Sequence, residues 1–221
     1  MPHSALLADW IGDLVVLCPG VDRAAARRSG ADLLDRWAEP HRGYHTRQHL
    51  TEMLTALDAL AATAVLDERD LHLAHVAAWL HDAVYDVTAP AGDSERESAQ
   101  FARNVLVSLD VGSSDIQRVE GLILLTVDHG TQRPGALADA FIDADLAILA
   151  ATPERFDEYC AQVRAEYAHV PDTAYATARS EILSALVDRP QVYRTAFARE
   201  AWTANARANV AREIGRLRVG E

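Results

Sequence analysis

The stretch AAWLHDAVYD, residues 77–86, decides how this chain is read. It is an apolar run of helical character that ends in His81 and Asp82, side by side, where leucine or alanine usually stands. A second oddity lies upstream. GYHTRQHL, residues 43–50, puts His45 and His49 four positions apart. Residues four apart share one face of a helix, so these two imidazoles are expected to point the same way. Such groups are either polar residues satisfied within a helical core or the walls of a metal site.

Working outward, the helical period dominates. Leu6, Leu7, Trp10, Ile11, Leu14 and Val15 recur at three- and four-residue steps. CPG at 18–20 closes that helix, and Asp22 is placed to cap the next, which runs to about Trp37. A third helix is expected from His45 or Thr46, and a fourth from about Asp67 to Val84. DVTAPAGDS reads as a loop. Further helices are expected at about 94–109, 114–128, 136–150 with a break near Asp143, 153–168, 172–188 and 194–218. LTVDHGTQRPG, residues 125–135, reads as a loop carrying His129. Alternating strand patterns are scarce, so the fold class is all-α. With 221 residues, one helical domain over 1–221 is expected, with a metal-binding core at about 42–150 and C-terminal helices at about 153–218 packed on it.

Composition narrows the chemistry. The hydrophobic fraction is 49% and the charged fraction 24%, ordinary for a soluble globular protein. No apolar run approaches the roughly 18 residues a membrane-spanning helix needs. The N-terminus lacks a basic start and does not read as a signal peptide. Cys18 and Cys160 are far apart and form no CxxC pair, so a reducing cytoplasm is the expected compartment. Net charge is −12, which disfavours binding to nucleic acid. All 21 basic residues are arginine. Lysine chemistry of every kind, from Schiff bases to P-loops, is therefore excluded.

A third acidic element appears in FIDADLAIL, residues 141–149, where Asp143 and Asp145 interrupt an apolar run. A buried carboxylate needs a cation or donors beside it. Two imidazoles with carboxylates suit a divalent ion: Mn²⁺, Fe²⁺, Ni²⁺ or Zn²⁺ first, with Mg²⁺ also open. An open coordination position would make that ion a Lewis acid toward substrate and water. His81 and Asp82 diverge by roughly 100° on a regular helix, so they can share an ion only near a helix end or where two helices converge. Pro90 and Gly92 place such an end nearby.

The ordered set H…HD…D on a helical chain resembles the HD superfamily of metal-dependent phosphohydrolases. YHTRQHL, AAWLHDAVYD and DADLAIL together resemble a narrower branch of predicted metal-dependent HD phosphohydrolases of about this length. The segment from Arg179 to Ile214 is similar to that branch too, so the likeness spans roughly residues 30–215. The resemblance implies His49, His81, Asp82 and Asp145 as metal ligands, with Asp143 as the alternate to Asp145. YHTRQH also resembles the YHNxxH of cyclic-nucleotide phosphodiesterases, which implies His45 as general acid. Arg42, just upstream, is placed to hold a phosphate bidentately. Glu95 falls where the branch has Asn-Glu, with Ser94 in place of the Asn. His129 matches a Thr-x-x-His piece and is expected at a second metal or at the substrate. Tyr85, Asp86, Arg164 and Tyr167 are looser candidates around the cavity, whereas His72 and His75 read as partly exposed helix residues.

The implied activity is hydrolysis of a small phosphorylated metabolite, a nucleotide first, with His45, Asp82 and Arg42 in catalysis. Arg42, Glu95 and His129 would contact substrate. One firmly held metal is expected, because His129 is the one histidine between Asp82 and Asp145. The alternatives are a cyclic-nucleotide phosphodiesterase-like enzyme and a metal- or nucleotide-binding module without turnover. Neither a membrane nor a nucleic-acid partner is expected, and the oligomeric state is left as monomer or dimer.

Overall fold

The structure, a computed structural model, describes residues 3–63, 66–129 and 135–219. Among these residues it contains helices and no strand, so the all-α class holds. In chain order the elements are α1 (His3–Leu17), α2 (Arg23–Arg36), α3 (Arg47–Ala61), α4 (Glu68–Leu80), α5 (Asp93–Ser108) and α6 (Ser113–Leu125). Then come α7 (Ala136–Asp145), a 3-10 segment (Leu146–Ala150), α8 (Pro153–Glu166), α9 (Asp172–Val187), α10 (Ala196–Ala201) and α11 (Thr203–Val219). Asp22 caps α2 as expected, and three further residues act alike. Asp22, Asp67, Thr152 and Thr195 each accept a backbone N–H in the first turn of the helix that follows. Part of the 125–135 loop, residues 130–134, lies outside the described residues.

α4 is the central element. Leu73, Ala74, Val76, Ala77, Ala78, Trp79 and Leu80 are all buried, with α1, α3, α5, α6 and α7 packed around them. A helix enclosed on most sides has no polar face to show, which accounts for its unbroken apolar run. Whatever follows Leu80 directly is delivered into the interior. One apolar core joins Leu6 of α1 to Val210 of α11, so the C-terminal helices share it. No helix among the described residues is long and apolar enough to cross a membrane.

Three boundaries differ from the periodic reading, two of them where side chains take the backbone's hydrogen bonds. α4 stops at Leu80 rather than about Val84. Arg42 donates to the carbonyls of Asp82 and Ala83, Arg36 also reaches the Ala83 carbonyl, and the Ser98 hydroxyl bonds Val84 at both N–H and C=O. The turn is thus satisfied without further helix. The break expected near Asp143 falls after Asp145, where the Tyr193 hydroxyl donates to the Leu146 carbonyl. The long C-terminal helix is divided at Trp202, whose ring packs on Tyr193 and Phe197.

Candidate metal centre and its cavity

His49 sits in the first turns of α3, His81 caps α4, Asp82 follows in the turn, and Asp145 ends α7. Both histidines are buried. Their Nε2 atoms stand 3.3 Å apart. Asp82 Oδ2 lies 3.0 Å from His81 Nε2 and 3.8 Å from His49 Nε2. Asp145 Oδ1 lies 3.4 Å from His49 Nε2 and 3.6 Å from His81 Nε2. Ligand atoms about 2.1 Å from an ion stand about 3.4 Å apart at the tetrahedral angle and about 3.0 Å apart at a right angle. The observed separations fall in and just beyond that range.

The tautomers fit as well. His81 Nδ1 lies 2.9 Å from the Ala78 carbonyl, which can only accept. Nδ1 therefore carries the hydrogen, and in the neutral ring the Nε2 lone pair faces the centre. His49 Nδ1 lies 2.9 Å from the Tyr44 hydroxyl, and when that hydroxyl accepts, the His49 Nε2 lone pair also faces the centre. Behind the rings, Trp37 packs within 6.1 Å of His49 and 5.7 Å of His81, its own N–H spent on the Trp79 carbonyl. Two carboxylates on two neutral imidazoles leave two negative charges in a buried place, and a divalent cation is the natural counterion. Without one, the groups lean on each other. Burial would lower the His81 imidazole, but Asp82 and Asp145 outweigh it and hold it well above its usual range. Burial likewise pushes both aspartates up, and the neighbouring histidines hold both well below the carboxylate range. The arrangement is thus suited to holding a metal ion.

His45 does not share a helical face with His49, because α3 begins only at Arg47. It stands in the preceding turn, its ring 5.8 Å from that of His49, and lines the cavity that opens over the metal centre. Its position is set by Glu166, the last residue of α8, which is buried. Glu166 Oε1 accepts three successive backbone N–H groups, from Gly43 (2.8 Å), Tyr44 (2.8 Å) and His45 (3.0 Å). Oε2 accepts from His45 Nδ1 (2.9 Å) and the Tyr85 hydroxyl (2.8 Å). Burial would raise this carboxyl, yet its hydrogen bond and ion pair with His45 lead in pulling it down to about 2. His45 Nδ1 is thereby committed, and the ring, packed 4.1 Å from Tyr85, keeps Nε2 for the cavity. Gly43 is obligatory here, since a Cβ would meet the Gln162 carbonyl oxygen at 2.4 Å.

Arg42 is not where a phosphate grip needs it. Its side chain has no exposed surface. Its donors are spent on Glu39 and on the carbonyls of His45, Asp82 and Ala83. It holds two site residues in register instead of binding substrate. Asp143, the alternate ligand, points elsewhere and accepts the backbone N–H groups of Arg194 and Thr195. His129 and Glu95 do reach the cavity wall, as do Tyr85, Asp86 and Tyr167. His129 Nε2 lies 3.3 Å from Asp145 Oδ2, on the oxygen turned away from the two buried imidazoles. Its backbone is left-handed (φ 50°), and Arg189 and Arg194 donate to its carbonyl. Arg164 instead pairs with Asp172 and nearby carbonyls.

No protein-family model matches this chain, and neither a curated protein nor a solved structure does. The site therefore stands on its geometry. The cavity above it has a volume of about 280 Å³, near the lower end of ordinary ligand pockets. Glu166 and Arg179 were legible in principle. Phe156, Tyr159, Cys160 and Val163 mark the buried stripe of α8, and Glu166 occupies its next position. Tyr175, Ala176 and Leu183 mark the stripe of α9, and Arg179 falls within it. A charged residue on an apolar stripe is the signal in both.

His72 and His75 are not merely exposed helix residues. Asp13 of α1 accepts from His72 Nδ1 at 2.7 Å and from His75 Nδ1 at 3.3 Å, which ties α1 to α4.

Proposed function

We propose that this chain is a metal-dependent phosphohydrolase of the HD type that its motifs resemble, acting on a small phosphate ester. The observation that carries the reading is the convergence of His49, His81 and Asp82, whose ligand atoms lie within 4.8 Å of one another, with Asp145 Oδ1 3.4 Å and 3.6 Å from the two imidazoles, beside an imidazole aimed by a buried carboxylate. A first-row divalent ion such as Mn²⁺ or Fe²⁺, held by those four residues, would supply Lewis acidity and lower the pKa of water. His45 acts at Nε2, the nitrogen that Glu166 leaves free, and delivers a proton to the leaving oxygen. Tyr85 and Glu166 keep that ring from turning, so no time is lost to misaligned conformers. Arg42 fixes the backbone of His45 relative to Asp82, joining acid and metal ligand in one rigid unit. The apolar back wall of Trp37 and Phe141 keeps water off the ligand rings.

The test is hydrolysis by purified protein with Mn²⁺ across nucleotides, cyclic nucleotides and simple phosphomonoesters. Turnover should be lost in His49→Ala and Asp82→Ala, and should fall about 100-fold or more in His45→Gln. Equal rates in wild type, His49→Ala and Asp82→Ala would overturn the proposal. Ligand-induced stabilisation of wild type with no product from any substrate would replace it with a binding module.

A further inference from the structure

With Arg42 buried elsewhere, the cavity needs another cation to receive an anion. Asp82, Asp86, Glu95 and Asp145 line it, so its walls are strongly acidic. Among its described lining residues, Arg179 of α9 alone carries a permanent positive charge. The arginines on neighbouring helices are neutralised: Arg155 pairs with Glu52, Arg164 with Asp172, and Arg212 and Arg216 with Asp157. Arg179 has no such carboxylate. Its one hydrogen-bond partner among the described residues is the Tyr159 hydroxyl, over whose ring the guanidinium lies at 5.1 Å. Among the described residues its Nε is buried without a hydrogen-bond partner.

A buried donor on an unpaired cation is costly unless something occupies it for part of the protein's working cycle. We propose that Arg179 is the anion grip of this cavity and donates to the non-bridging oxygens of a substrate phosphate. The guanidinium Nη1, unbonded among the described residues, is left to donate to a phosphate oxygen. Tyr159 holds the other end of the guanidinium and packs edge-to-face with Tyr44, which in turn bonds His49. The grip and the metal centre are thereby linked through packed aromatic rings. Val163, Ile182 and Leu186 in the same wall offer apolar surface to the organic part of the ester. The assignment of phosphate as the ligand rests on the hydrolase reading; the unpaired cation itself does not.

The test separates the two. Inorganic phosphate is titrated calorimetrically into the Mn²⁺-loaded protein, and p-nitrophenyl phosphate turnover is measured in parallel. Arg179→Gln should weaken phosphate binding about 10- to 100-fold and raise KM by a similar factor with a smaller change in kcat. Arg179→Lys should recover part of the affinity, and it keeps the test valid if the Gln variant melts early. Phosphate affinity and KM within twofold of wild type in both variants, or no phosphate binding by wild type, would overturn the grip. Phosphate binding that is lost in Arg179→Gln, with no hydrolysis by wild type, would sink the hydrolase reading and leave the grip standing.

Discussion

Replacing Glu166 by Gln keeps the shape of the side chain and removes its charge. The carboxylate accepts five hydrogen bonds, three from backbone amides and two from His45 and Tyr85. Its pKa, ordinarily 4.5, is drawn down to about 2. At about 1.36 kcal/mol per tenfold change in proton affinity, that difference amounts to roughly 3 kcal/mol of native-state stability. The sign follows from the direction. A depressed carboxyl contributes fully above its unfolded pKa, and the contribution is lost as pH falls from about 4.5 through the folded value near 2. Urea unfolding of wild type and Glu166→Gln should differ by roughly 3 kcal/mol at pH 7 and by less than half of that at pH 3. In a chain of this length the pH 7 difference corresponds to about 6–12 °C in Tm. A penalty below about 0.5 kcal/mol at pH 7, or one that stays constant down to pH 3, would refute the reasoning, because either means that the charge is not what the cradle binds.

Three further outcomes are expected. Dialysis against Mn²⁺ followed by metal analysis should find one ion per wild-type chain and far less in His49→Ala or Asp145→Ala. At free Mn²⁺ about 100 times the Kd, wild type should gain about 2.7 kcal/mol of stability that these variants lack, a difference readable as a melting shift. Gly43→Ala places a methyl 2.4 Å from the Gln162 carbonyl and should cost about 1–3 kcal/mol in denaturant unfolding. An unchanged midpoint would show that the 43–45 turn is not clamped against α8. The hydrogen bond to Asp13 raises the His72 imidazole above its usual value, against the opposing effect of burial. Its contribution is therefore complete below about pH 6.5 and lost as pH rises through the folded value. The stability gap between wild type and His72→Gln should shrink between pH 6 and pH 9, and a gap that widens would contradict the assignment.

The helices were legible because each buries a stripe, and the cap residues Asp22, Asp67 and Thr152 mark their starts. The endings were less so. Leu80 ends α4 only because Arg42, Arg36 and Ser98, distant in sequence, take over the hydrogen bonds that more helix would have made. The candidate ligands stand out because His49, His81 and the Asp143–Asp145 pair interrupt apolar patterns, while the preference for Asp145 over Asp143 comes from the family resemblance. Their convergence, by contrast, depends on how α3, α4 and α7 pack, which no local pattern records. Arg42 shows the limit of proximity along the chain. It lies three residues before His45, yet its side chain turns inward, because the carbonyls left bare by the end of α4 outbid the cavity for its donors. Glu166 and Arg179 do not stand out because a charged residue on a helix usually reads as surface.

The amide cradle around Glu166 has a bearing on where this protein can be trimmed. A fragment severed after Ala150 retains His49, His81, Asp82 and Asp145, and by its motifs alone would pass as the whole unit. It lacks the acceptor for three consecutive N–H groups and for the His45 ring. Such a fragment would keep the pincers and forfeit the hand that steadies His45, so the motif-bearing stretch and the smallest piece that holds its histidine in place are different lengths of chain.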